Sequence, residues 1–225
     1  MTPTPPALGH PFPVILSAPS GGGKTTIARR LLATRPDLGY SVSATTRPPR
    51  GGEAHGRDYW FMAVHEFEAA RERGEFAEWA SVHGNMYGTL RSEVQRVLDG
   101  GHHVIMDIDV QGAVQFGRVF PQSVLVFVLP PSAEVLAERL AARATDTAET
   151  VALRLRNARD ELAAVDDYHY VVVNDDLDRV VAQVAAIIDA EGARRERIRT
   201  LRQQVDALVA QLDRGLAALP ANIAS

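Results

Sequence analysis

A chain of 225 residues, 46% hydrophobic and 23% charged, holds enough apolar material for one buried core with inserted subdomains, which excludes a disordered or fibrous polypeptide. It contains no cysteine, so disulfide frameworks and thiolate metal sites are excluded, in keeping with a reducing, cytoplasmic setting. The formal net charge of −4 argues against a nucleic-acid binder, and the longest apolar run, Val124 to Leu129, is too short to cross a membrane.

Residues 1–12 are expected to form a poorly ordered leader, because prolines stand at positions 3, 5, 6, 11 and 13 and the segment lacks the basic and apolar regions of an export signal. Val14 to Leu16 then reads as a buried strand. It enters a glycine-rich turn, after which Ile27, Leu31 and Leu32 recur at helical spacing. The turn, Ala18 to Thr25, follows the pattern G-x-x-x-x-G-K-[ST] of phosphate-binding loops except that Ala18 stands for the first glycine. In such a loop the amides from Gly21 to Lys24 converge on a nucleotide β-phosphate, Lys24 reaches the β/γ oxygens and the Thr25 hydroxyl faces Mg²⁺. Lys24 is the only lysine among 24 basic residues, so this position asks for a compact ammonium that arginine, used everywhere else, does not imitate. The plainer alternative is a glycine turn with an incidental lysine.

Residues 40–98 read as an inserted, partly antiparallel subdomain, with short alternating segments, Gly/Pro punctuation and several aromatics. Within it, Arg47 and Arg50 lie three apart on a proline-stiffened loop. Such a fork suits a phosphate monoester, though the same residues could equally be a solvated surface. A strand is expected at His103 to Ile108, ending in Asp107-Ile108-Asp109. In an open parallel sheet that end faces the ligand crevice, and alternation puts the two carboxylates on one side. One of them suits orientation of Mg²⁺-bound water; Asp109 alone could also be an ordinary helix N-cap.

Val124 to Leu129 and Tyr170 to Val173 read as further strands, with helices over 133–142 and 180–188. Buried strands alternating with helices predict an α/β protein with a parallel sheet core flanked by helices. The Arg/Ala-rich stretch 139–160 reads as a helical flap able to move. Beyond it, Ile198, Leu201, Val205, Leu208 and Leu212 form about two heptads behind a basic cluster. Either this helix packs on its own domain or it pairs with a second copy as a short coiled coil. The seven histidines show no metal-ligand spacing.

Taken in order, the phosphate loop, S-x-T-T-R-x-P-R-x-G-E-x-x-G-x-x-Y-x-F from Ser43, E-F-x-E-x-A-x-x-x-G-N-x-Y-G-T from Glu75, D-I-D-x-Q-G from Asp107, R-L-x-x-R from Arg139 and V-N-D-D from Val173 resemble the guanylate kinase family over residues 14 to about 190. The resemblance implies a P-loop NTPase-type core (13–39, 99–138 and 161–192), a GMP-binding subdomain (40–98), a lid (139–160) and, outside the family pattern, a helical extension (193–225). It also implies transfer of the γ-phosphoryl group of Mg·ATP to GMP. ATP would meet Ala18, Pro19, Ser20, Gly21, Gly22, Gly23, Lys24, Thr25 and Thr26, with Arg139, Asn174 and Asp175. Arg47, Arg50, Tyr59 and Tyr87 match contacts to the GMP phosphate; Ser43, Glu78, Thr89 and Asp109 match contacts to guanine. Lys24, Arg50, Arg143 and Arg154 would act in catalysis, and Thr25 with Asp107, through water, on Mg²⁺.

The chemistry agrees with that implication. Guanine presents N1–H and N2–H₂ donors to the Glu78 carboxylate, whereas adenine would set an unprotonated N1 against it, a mismatch able to discriminate by ~10⁴. The departures from the pattern are Ala18, Met86 for a common Tyr, and Ala144 for a frequent Gly in the lid. Two rival readings are a peptide-binding guanylate-kinase-like module and a phosphotransferase acting on a phosphorylated sugar. The intact Lys24, Thr25, Arg143 and Arg154 weigh against the first, and Glu78 with Thr89 against the second.

Overall fold

The computed structural model describes residues 9–82, 84–141 and 148–217. Contacts divide the chain into two compact units, Pro11–Ile188 and a smaller one made of the residues on either side of it.

The larger unit is built on a strand buried along its whole length, β1 (Pro13–Ser17), with parallel neighbours on both sides. A strand with no solvent-facing side can be apolar throughout, which is why Val14-Ile15-Leu16 shows no polar alternation. With β2 (Leu38–Tyr40), β7 (His103–Asp107), β8 (Val124–Leu129) and β9 (Tyr170–Val173), it forms a parallel sheet in the order β2-β7-β1-β8-β9. Alternate side chains feed two cores. Val14, Leu16, Val126 and Val128 pack with Ile27 and Leu31 of α1 (Lys24–Thr34) and with Val180 and Val184 of α7 (Leu177–Gly192). On the other face Ile15, Val104 and Met106 pack with Val94 of α3 (Arg91–Asp99) and with Ala113 and Phe116 of α4 (Val110–Val119). Helices on both faces make this the parallel α/β core that the apolar runs predict.

Between β2 and β7 lies a second sheet, ordered β4-β3-β6-β5, from β3 (Ala44–Thr45), β4 (Trp60–Phe61), β5 (Phe76–Val82) and β6 (Asn85–Leu90). Its β5–β6 and β3–β6 pairings are antiparallel and β3–β4 is parallel. α2 (Val64–Glu72) covers it, stacking Phe67 on Phe76 at 4.3 Å between ring centroids. After β8 come α5 (Ala133–Ala141) and α6 (Ala148–Leu162), whose Leu136, Leu140 and Ala158 form a small core of their own.

Phe12 corrects the expected extent of the leader. Its ring is fully buried beside β1 and its N–H donates to Nδ1 of His103 (3.2 Å). Pro11 and Pro13 hold it in an extended backbone that continues the strand, so the proline content there marks stiffness and not disorder.

In the smaller unit, His10 N–H donates to Arg197 O (3.0 Å), and the carboxylate of Glu191, 3% exposed, is held by Arg197 (2.9 Å) and Arg194 (3.3 Å). A buried carboxylate is tolerable only when paired in this way. Its last element, α8 (Leu201–Ala217), leaves Val205, Leu208, Val209, Leu212 and Leu216 exposed. Among the described residues no helix is long and apolar enough to cross a membrane.

Candidate active site

The turn after β1 has the conformation its glycines permit. Gly21 and Gly23 take φ of +83° and +91°, in the left-handed region that side chains avoid, and Gly23 caps α1. Gly22 N–H closes the turn on Pro19 O (2.8 Å), and a Cβ at Gly22 would stand 2.6 Å from that of Ala18. The alanine in place of the first glycine therefore fits only because its neighbour across the turn has no side chain. Thr26 and Ile27 donate back to Gly23 O, starting α1 with its amides open toward the loop. Lys24, the first residue of the helix, is half-buried and makes no hydrogen bond or ion pair among the described residues. An ammonium and a helix N-terminus at one place form a receptor for anionic oxygens.

Thr25 Oγ1 donates to Asp107 Oδ2 at 2.5 Å, joining the loop to the end of β7. The two residues expected at Mg²⁺ are thus side by side, and a hydroxyl and a carboxylate are the hard oxygen ligands that this ion takes. Among the described residues no three His, Cys, Asp or Glu side chains cluster as a metal cage, so such an ion would draw its remaining ligands from phosphates and water.

Asp107 also lines a cavity of ≈40 Å³ together with Tyr40, Ser41, Ser43, Glu78 and Thr89. Glu78 and Thr89 face each other across β5 and β6, and Thr89 Oγ1 donates to Glu78 Oε1 at 2.6 Å. Burial pushes the Glu78 carboxyl up to about 7; the Thr89 bond opposes this and the nearby Asp109 charge adds to it. Asp109 caps α4, accepting from Gly112 N–H at 2.6 Å, so the plain N-cap role is present in this residue. A Cβ on Gly112 would lie 3.0 Å from Glu78 Oε2 and 3.2 Å from Asp109 Oδ1: the glycine makes room for two carboxylates to sit together.

The arginine loop closes on itself through Glu53, a fixed position of the motif from Ser43 to which the sequence reading assigns no role. Its carboxylate accepts from Arg47 Nη2 (2.8 Å) and Arg50 N–H (2.7 Å), and the Arg47 bond is the main reason its carboxyl is held below the usual range. Arg47 lies over the Tyr59 ring (5.3 Å), and Tyr59 packs against Tyr87 (6.1 Å), so three of the four expected phosphate contacts are neighbours. The fourth, Arg50, extends an exposed guanidinium with no hydrogen bond or ion pair among the described residues.

Behind the phosphate loop, Asn174 Nδ2 donates to Gly22 O (2.8 Å) and Asn174 O accepts from Arg139 (3.1 Å). Among the described residues the other terminal nitrogen of Arg139, buried, has no hydrogen-bond partner. Asp175 is engaged elsewhere, ion-paired with Arg179 at the start of α7. Arg154 is half-buried on α6; Arg143 and Ala144 lie outside the described residues. Two further groups escape a reading by spacing. Ser41 is buried in the Glu78 cavity, its hydroxyl without a hydrogen-bond partner among the described residues, and Glu161 accepts from Ser20 N–H (2.9 Å).

The guanylate kinase family model matches residues 10–191. The chain belongs to the guanylate kinase family. It is 48% identical over 186 residues to a guanylate kinase of Syntrophotalea carbinolica, covering 83% of this chain and 89% of that one, and 48% identical over 199 residues to one of Chelativorans sp., covering 88% and 91%. A crystal structure of guanylate kinase from Anaplasma phagocytophilum superposes with a TM-score of 0.69 at 33% identity, covering 89% of this chain and 95% of that one. The fold is that of a P-loop kinase, and its function is that of an ATP-dependent nucleoside monophosphate kinase. In this guanylate kinase family member Asp107 links the phosphate loop to the Glu78 cavity.

Proposed function

We propose that this enzyme transfers the γ-phosphoryl group of ATP, bound on the 18–25 loop, to GMP, whose guanine is read at Glu78 and Thr89 and whose phosphate is held by Arg47, Arg50, Tyr59 and Tyr87. One observation carries this: Asp107 touches both sites, bonding Thr25 of the loop and lining the Glu78 cavity. A donor and an acceptor seated there would meet at the carboxyl ends of adjacent strands, where open α/β sheets place their ligands.

The division of labour follows from charge. Phosphoryl transfer passes through a loose transition state with charge spread over the moving oxygens, so the protein's task is to position and to neutralise. Lys24 meets the β/γ oxygens. Arg47, already fixed by Glu53 and Tyr59, orients the acceptor phosphate, while Arg50, exposed and without a side-chain hydrogen bond among the described residues, swings onto it. Arg139, Arg143 and Arg154 complete the cationic wall and exclude water that would otherwise hydrolyse ATP. Mg²⁺, arriving with ATP, supplies the remaining positive charge, and Thr25 and Asp107 are the residues that would hold it. A cytoplasmic location agrees with the cysteine-free composition, and the exposed apolar seam of α8 supports self-association through a second copy.

A peptide-binding module would not need the open lysine at the loop, and a sugar kinase would not need a buried carboxylate aimed at a base. The test is ADP release from Mg·ATP with GMP, AMP, CMP, UMP and ribose phosphates in parallel. We expect GMP to exceed every other acceptor by about 10³-fold or more in kcat/KM; comparable rates with AMP or a sugar phosphate would overturn the assignment.

A further inference from the structure

Three consecutive residues of the phosphate loop are gripped from outside α1. Ser20 N–H donates to Oε2 of Glu161 in the last turn of α6 (2.9 Å). Gly21 lies against α5, where an added Cβ would be 3.2 Å from Leu140 Cδ2. Gly22 O accepts from Asn174 at the end of β9. The first two grips come from helices that share a core of Leu136, Leu140 and Ala158, which packs the two helices together beside the loop. Glu161 supplies the only charged grip of the three. Arg154 stands seven residues before it, two turns along α6 and thus on the same helical face.

The Ser20 amide precedes the run from Gly21 to Lys24 that faces phosphate. Without an acceptor of its own, this half-buried N–H would either stay unsatisfied or turn into the anion site and distort it. A carboxylate at 2.9 Å removes both outcomes. The contact lies on one face of α6 and adds to the packing of Ala158 in holding that helix beside the loop.

We propose that Glu161 is a positioning residue for phosphoryl transfer: by clamping the Ser20 amide it sets the entry half of the phosphate loop and turns the Arg154 face of α6 toward the donor. The proposal rests on the assignment of ATP to this loop. Its requirement is an acceptor oxygen at the right reach, not a negative charge. Glutamine keeps such an oxygen; aspartate keeps the charge but falls one methylene short.

The experiment compares full-length wild type, E161A, E161Q and E161D in steady-state assays with ATP and GMP varied separately, and measures ADP affinity by calorimetry. E161A and E161D are expected to lose about tenfold or more in kcat/KM for ATP, with weaker ADP binding. E161Q should stay within about threefold of wild type, since its amide oxygen still accepts from Ser20. The KM for GMP should be unchanged in all three. Wild-type parameters in E161D, a defect in E161Q equal to that in E161D, or a KM for GMP rising in step with that for ATP would each overturn the role. The E161Q–E161D comparison decides the matter even if E161A fails to fold. A wild-type enzyme inactive on ATP and GMP would instead overturn the functional reading beneath it.

Discussion

Glu78 shows what recognition of a base demands of a single side chain. Its carboxyl, buried and held by one hydroxyl, titrates near 7 instead of its ordinary 4.5. The guanine donors need the ionised form, so the KM for GMP should rise about tenfold per pH unit below 7 while that for ATP stays flat, as a pH series of initial rates would show. The effect on folding has the opposite sign. A carboxyl whose pKa is raised on folding costs nothing below its unfolded pKa, and its cost grows as pH climbs from about 4.5 to 7. Glu78→Gln should therefore be more stable than wild type at pH 8 by on the order of 2 kcal/mol, read as a higher unfolding temperature, while losing GMP discrimination. Lys24 offers a contrast: among the described residues its ammonium has no hydrogen-bond or ion-pair partner to leave stranded, so Lys24→Met should cut kcat by about 10²-fold or more with an unchanged circular dichroism spectrum. Both residues are legible in the sequence, one by motif and uniqueness, the other by family resemblance. Ser41 and Glu161 are not, and Glu53 is legible only as a fixed position of the motif from Ser43, because their roles depend on where two sheets meet, which helix ends beside the loop and where a proline-rich loop closes. None of these leaves a spacing to read.

At the scale of elements, apolar continuity makes β1, β7 and β8 readable, since a strand covered on both faces has no use for polar residues; β9 is as apolar, although as an edge strand it leaves Val171 and Val173 exposed. β2, β3 and β4 hold two or three residues each and exist only through their partners, so no local pattern announces them. The inserted sheet is visible as a change of texture, but its strand order is not. The turn from β7 into α4 is where element and site constrain each other most tightly. Gly112 lets the first turn of α4 pass Ile108, at 2.7 Å from a would-be Cβ, while leaving space for the carboxylates of Glu78 and Asp109. Gly112→Ala should destabilise the protein by roughly 1–3 kcal/mol in thermal unfolding and raise the KM for GMP more than that for ATP. Equal effects on both substrates would mean that the glycine serves packing alone.

At the scale of the molecule, the order of the motif blocks carries the family assignment, whereas the smaller unit falls largely outside that pattern and is understood from contacts only. Its buried Glu191 is ion-paired with Arg194 and Arg197, so cutting the chain after residue 192 would remove both of these arginines as well as α8. Leu208→Asp with Leu212→Asp is the cleaner probe of the seam. If α8 pairs with a second copy, sedimentation should find a dimer in wild type and a monomer in the double variant, with GMP kinase rates preserved; a wild-type monomer would remove the seam from consideration. The solitary lysine has a practical corollary. Apart from the chain's own terminus, a reagent that acylates primary amines has one target in this protein, half-buried at the mouth of the phosphate loop. A single mass increment per molecule, suppressed as ATP is added, would turn intact-protein mass spectrometry into a direct gauge of nucleotide occupancy, without any introduced label.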